Sequence, residues 1–199
     1  MILVIETATP ACSVALIESD ALIDERHEEV GRGHAERLVP MIEAMLGGRV
    51  PSRILVDCGP GSFTGLRVGL AAARGLGIGW GVEVRGFSSL ALIAAAQAGA
   101  GELAVALQGG HGQIFVQSFA RDPLAPIDPL LSLSPAEAAM AIRAERVAGS
   151  GAAALVSARG HGEAVEGVAR AADARFLPES LAALRPSPLY GRGPDARPA

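Results

Sequence analysis

The chain has 199 residues, half of them hydrophobic, with a net charge of −4. This is enough for one large domain or two small lobes around a well-buried core. The charge and the lack of a basic run exclude a protein that grips nucleic acid through a basic stripe of its own. Arg74, Gln97 and Glu102 interrupt the longest apolar stretches before they reach the length of a membrane span.

In chain order, Ile2–Glu6 reads as a short apolar strand, Thr7–Pro10 as a turn, and Ala11–Glu18 as a second strand. Ser19-Asp20 turns the chain into a third, Ala21–His27, so the opening is an antiparallel meander. Gly31-Arg32-Gly33 breaks the pattern. From His34 to Leu46, Leu38, Met41, Ile42, Met45 and Leu46 recur at helical spacing, closed by Gly47-Gly48. Pro40 predicts a late start or a kink in that helix. Ile54–Cys58 is a buried strand, followed by Gly59-Pro60-Gly61-Ser62-Phe63 and a small-residue helix over about 64–79, with Thr64 as its expected cap. Val82–Arg85 is a further strand and Leu90–Ala98 a helix. Ala98-Gly99-Ala100-Gly101 is the expected boundary between an N-terminal lobe, 1–100, and a smaller C-terminal lobe, 101–199. In the second, Leu103–Leu107 and Ile114–Phe119 flank a Gly-rich turn, and Pro135–Arg146 reads as a helix. Strands followed by helices in two rounds predict two α/β lobes.

The junction at 59–69 carries the most chemistry. Gly59 and Gly61 permit backbone angles closed to other residues, and the N–H groups from Ser62 to Leu66 sit where a helix N-terminus favours an anion. Behind them Gly65, Gly69, Ala73 and Gly77 recur every four residues on one helix face. Interior glycine costs up to about 1 kcal/mol relative to alanine, so a stripe of it implies close approach of another backbone. Two readings stay open here: packing on the chain's own sheet, or docking of a second subunit.

Gly59-Pro60-Gly61-Ser62-Phe63-Thr64-Gly65-Leu66-Arg67-Val68-Gly69 after a strand resembles the signature of the TsaB family, partner subunits of the bacterial machinery that places threonylcarbamoyl on adenosine 37 of tRNA. Three stretches agree: Ile5–Ala15, with the family's opening hairpin; His34 with Leu38–Ile42, with its first helix; and Pro188-Leu189-Tyr190 with Arg192 and Pro194-Asp195-Ala196, with its tail. The resemblance implies a two-lobed actin-like, sugar-kinase-like fold of the ribonuclease H-like group. It implies pairing with the catalytic subunit TsaD and the small ATPase TsaE, a homodimer when the partner is absent, and contact with tRNA only through the complex. The two helices of the first lobe would form the interface, through Leu38, Met41, Ile42, Met45, Gly65, Leu66, Gly69, Leu70, Ala73 and Gly77. ATP or ADP would meet Gly61, Ser62, Thr64 and Arg67 at that interface, with no cofactor in the isolated chain.

The residues argue against catalysis in this chain. All 17 basic side chains are arginine, which removes any Walker-A, Schiff-base or general-base lysine. Ser62 lacks the flanking glycines of a nucleophile elbow. The family's catalytic relatives bind metal through two histidines four apart, but four residues after His34 stands Leu38. His34 alone reads as a surface or capping residue, and no metal ligand or catalytic residue is assigned. The first turn, Thr7–Pro10, has no glycine, and Glu6 replaces the more usual Asp. Gln108 and Gly110 stand where relatives often have Asp and Arg. Asp24-Glu25 and Glu28-Glu29 read as a solvated edge. Cys12 and Cys58 form neither a disulfide framework nor a metal clip. The N-terminus reads as a strand, not a signal peptide, so the expected location is cytoplasmic. The alternative is a stand-alone ATP-dependent enzyme of the actin-like group.

Overall fold

The computed structural model describes residues 1–190. Its first sheet contains β1 (Ile2–Glu6), β2 (Ala11–Glu18), β3 (Ala21–Glu29), β4 (Arg53–Asp57) and β5 (Glu83–Phe87), in the order β3-β2-β1-β4-β5. The hairpin strands β1–β3 are antiparallel, whereas β1, β4 and β5 run parallel. Helices α1 (His34–Leu46) and α2 (Phe63–Trp80) make the crossovers, and α3 (Ser89–Ala96) follows β5.

The second sheet contains β6 (Glu102–Gln108), β7 (Ile114–Arg121), β8 (Leu124–Pro126), β10 (Arg146–Ala148) and β11 (Glu163–Val165), in the order β11-β10-β6-β7-β8, with β9 (Leu131–Leu133) also on β7. Here too an antiparallel hairpin, β6–β7, adjoins parallel strands, β6, β10 and β11. Helices α4 (Pro135–Ala141) and α5 (Ala152–Arg159) are short. The repeated order, a mixed sheet with helical crossovers in each half, is the two-lobed actin-like architecture.

Period-two alternation divides the first sheet between two cores. Leu3, Ile5, Ile54 and Val56 face α1 and α2, burying Leu38, Met41, Ile42, Met45, Leu70 and Ala73. Val4 and Leu55 face the other way, into a core built around α3 that also holds Leu103, Val105 and Phe119 of the second sheet. Leu90 and Leu92–Ala94 are wholly buried, so α3 is apolar all round. The 98–101 stretch is the turn between α3 and β6.

Several local expectations change. Helix α1 is unbroken through Pro40: the exposed proline forfeits one backbone bond, and five buried apolar side chains hold the helix against that loss. Helix α4 stops at Ala141, not Arg146. Ile142 turns extended with its side chain buried, and Arg146 begins β10. The terminal stretch returns to the first sheet: Leu184 and Gly86 exchange backbone bonds of 2.7 and 3.0 Å, and the Leu189 N–H donates to the Cys58 carbonyl at 2.7 Å. Arg192 and Pro194-Asp195-Ala196 lie outside the described residues. No described helix is long and apolar enough to cross a membrane.

Candidate functional site at the elbow and helix α2

Strands β1 and β4 end side by side, and their next residues clasp one another. Gly59, at φ +96°, opens the elbow after β4. The Ser62 N–H donates to the Ala8 carbonyl at 2.7 Å, and the Thr7 hydroxyl donates to the Gly65 carbonyl at 2.8 Å. A Cβ on Gly61 would overlap the Ala8 carbonyl, and one on Gly65 the Thr7 carbonyl. The turn 7–10 therefore sits directly on the elbow. Space that an anion would need between them is filled by backbone, and the Ser62 N–H is already used.

The stripe continues this lock. A Cβ on Gly69 would strike the Thr7 hydroxyl, and one on Gly77 a Val84 methyl. Gly65, Gly69, Ala73 and Gly77 thus set how closely α2 approaches its own β1 and β5. Of the two readings of the stripe, packing on the chain's own sheet accounts for its spacing. Leu38, Met41, Ile42, Met45, Gly65, Leu66, Gly69, Leu70, Ala73 and Gly77 are all buried within this chain. The physical reason is the sheet beneath: an amphipathic helix spends its apolar stripe on the nearest apolar surface.

The outer faces of α1 and α2 carry what remains. Val39 is 51% exposed, Phe63 55% and Ile78 85%, large apolar side chains left in solvent. The Arg67 guanidinium lies 3.5 Å above the Phe63 ring, whose centroid is 5.9 Å from that of Tyr190. Ser62, Thr64 and Arg67 are exposed, whereas Gly61 is pressed under Ala8. Ser62, not Thr64, caps α2: its hydroxyl accepts from the Gly65 N–H at 3.2 Å.

His34 is buried, against expectation. Its Nε2 lies 2.9 Å from the Thr9 carbonyl and 3.1 Å from that of Ala11, so the ring ties α1 to the first turn. Among the described residues no three His, Cys, Asp or Glu side chains come together as a metal site.

The sequence reading missed Asp57. Its neighbour across the parallel pair is Glu6, since Ile5 pairs with Val56, and alternation puts both carboxyls on the face of Val4 and Leu55. Both are fully buried. Glu6 accepts from the N–H groups of Ala8 at 2.7 Å and Thr9 at 3.1 Å, and from the Thr9 hydroxyl at 3.2 Å. Asp57 Oδ1 accepts from the Gly59 N–H at 2.6 Å and the Ser89 hydroxyl at 2.8 Å, while its Oδ2 is buried without a partner. Burial and the Asp57 charge push the Glu6 carboxyl well above the usual carboxylate range, and burial pushes Asp57 up to about 7. One signal was available: an acid ending an otherwise apolar parallel strand, immediately before a glycine turn.

Comparisons with known proteins agree with this architecture. A family model described as TsaD, tRNA N6-adenosine threonylcarbamoyltransferase, matches residues 25–122. The Escherichia coli tRNA threonylcarbamoyladenosine biosynthesis protein TsaB is 34% identical over 129 residues, covering 61% of this chain and 55% of that protein. Its Haemophilus influenzae namesake is 38% identical over 102 residues, 48% of this chain and 42% of the relative. The chain thus spans about half the length of the curated relatives it matches. Among solved structures, YeaZ from Pseudomonas aeruginosa superposes with a TM-score of 0.81 at 25% identity, covering 95% of this chain and 98% of that one.

Proposed function

The chain belongs to the TsaB family, and from that premise we propose that it is a non-catalytic, activating subunit of a tRNA N6-threonylcarbamoyladenosine transferase complex. Its partner is the catalytic subunit TsaD, with TsaE joining the assembled pair and tRNA reached through the complex. When alone, the chain pairs with a second copy. We assign the docking surface to the outer faces of α1 and α2, with Val39, Phe63 and Ile78 as anchors. A nucleotide, ATP or ADP, would meet Ser62, Thr64 and Arg67 at the edge of that surface once a partner closes it. The cytoplasm is the compartment this role requires.

One observation carries the reading: α2 spends its glycine stripe on its own sheet yet keeps Phe63 and Ile78 in solvent. A helix already satisfied on its inner face has its outer apolar residues free for a partner. The stand-alone ATPase reading is weakened by the backbone that fills the elbow.

Substituting the stripe does not test the interface, because Gly69→Leu would collide with Thr7 and destabilise the chain itself. Val39→Glu combined with Ile78→Glu is the informative variant. Its melting temperature should stay within about 2 °C of wild type, as for exposed sites generally. Co-elution with TsaD in size-exclusion chromatography with light scattering should be lost; undiminished complex formation overturns the assignment. Calorimetry of the isolated chain with ATP and magnesium addresses the enzyme alternative. Binding tighter than about 10 µM, roughly 7 kcal/mol, would favour it.

A further inference from the structure

Glu6 and Asp57 end adjacent parallel strands, about 5 Å apart at ordinary strand spacing, and both are fully buried. Among the described residues neither carboxylate takes part in an ion pair. The titratable groups around them bring no compensating cation: His27, across Ser13 from Glu6, and Arg170 and Arg175, on the stretch packed against β1 and β2, act on neither carboxyl. The Cys12 thiol on β2 and the Cys58 thiol after β4 are themselves pushed up, to about 11 and about 12, by burial and by these carboxylates. His34 uses its Nε2 on the carbonyls of Thr9 and Ala11. Arg74 reaches Cys58 only as a weak, distant charge and is itself bound to the Pro186 carbonyl. Two adjacent ionised carboxylates without a cation are costly in a dry site, and such pairs characteristically hold one proton between them.

We propose that Glu6 and Asp57 form a shared-proton clasp that holds the ends of β1 and β4 together and, through them, the 7–10 turn and the elbow. Asp57 Oδ2 is the one carboxylate oxygen of the four without a donor, and so the one left free for that proton. The remaining oxygens bind backbone or hydroxyl donors of the turn, the elbow and α3. The proton leaves to solvent as pH rises. Two charges then face each other, and the turn and elbow lose their common anchor. The clasp belongs to the isolated chain and is independent of the docking surface.

Unfolded carboxyls titrate near pH 4, whereas burial raises Asp57 to about 7 and Glu6 well above its ordinary value. The clasp's contribution is therefore complete below about pH 4 and fades as pH climbs toward 7. Asp57→Asn removes the repulsion while leaving an oxygen for Gly59 and Ser89 and an amide N–H for Glu6. Thermal melts of wild type and D57N from pH 5 to pH 8 test the idea. The melting temperature of D57N should gain on wild type as pH rises, by about 5 °C across the range. A gap that stays constant, or shrinks, overturns the proposal. Should D57N fail to fold, carboxyl-carbon NMR of the wild-type chain decides. A buried carboxyl still protonated at pH 6 supports the clasp; two ionised carboxylates at pH 6 overturn it.

Discussion

The two halves of the molecule build the same junction with different contents. In the first, Gly59-Pro60-Gly61-Ser62 leaves β4 and packs under the end of β1. In the second, Gly149-Ser150-Gly151 leaves β10 and packs under the end of β6. Gly149, at φ +105°, would press a Cβ into the Ala106 carbonyl, and the Gly151 N–H donates to that same carbonyl at 2.9 Å. The Ser150 hydroxyl accepts from the Gln108 N–H at 3.0 Å. Close glycine-to-carbonyl packing therefore belongs to the fold: it is how a parallel strand passes under a hairpin. What differs is the chemistry set on it. The first junction holds the buried acids Glu6 and Asp57, where the second strand ends are Gln108 and Ala148. The first feeds an 18-residue helix with exposed apolar side chains, the second an 8-residue one. The added acids and the long helix with its exposed apolar side chains set the first half apart.

The sharpest way to break this comparison is to fill both junctions. Gly65→Ala sets a Cβ against the Thr7 carbonyl, backbone that cannot swing aside. It should cost about 3 kcal/mol or more in urea unfolding despite the better helix propensity of alanine. Gly149→Ala meets the Ala106 carbonyl and a left-handed backbone as well, and should cost at least as much. A loss below about 1 kcal/mol at Gly149 would mean that the second junction lacks the lock.

How far the sequence reveals this depends on whether the deciding contact is local. The opening meander, the elbow and both long helices were legible because period-two and period-3.6 patterns and glycine punctuation are local signals. The direction of the Gly65–Gly77 stripe was not. A small-residue face looks the same whether it approaches its own sheet or another molecule, and only the position of Thr7 and Val84 decides. His34 reads as a surface or capping residue in the sequence because its partners, the carbonyls of Thr9 and Ala11, are more than twenty residues away. Asp57 stands out little in the sequence because a single acid in an apolar strand gains meaning only with Glu6 beside it. In the second half, alanine-rich segments carry little amphipathic contrast, which is why α4 appeared longer than it is.

Removing polar clasps separates the halves further. Thr7→Val deletes the buried hydroxyl that donates to the Gly65 carbonyl. It should cost about 1.5 kcal/mol, the upper range for one buried hydrogen bond, since that carbonyl keeps its helical donor, the Gly69 N–H. Ser62→Ala removes the α2 cap and should cost about 1 kcal/mol, measurable in the same denaturation series. Equal losses at the two sites would mean that the Thr7 contact is wetter than its burial indicates.

The smallest effect should come from Ser150→Ala. This serine stands in the second junction much as Ser62 stands in the first, but the N–H it accepts from belongs to Gln108, which is exposed. Water replaces the lost hydroxyl there, so the expected change is below about 0.5 kcal/mol. A cost matching that of Thr7→Val would show the second junction to be as dry and as tightly coupled as the first. The distinction between the two halves would then rest on the buried acids and the outer face of α2 alone.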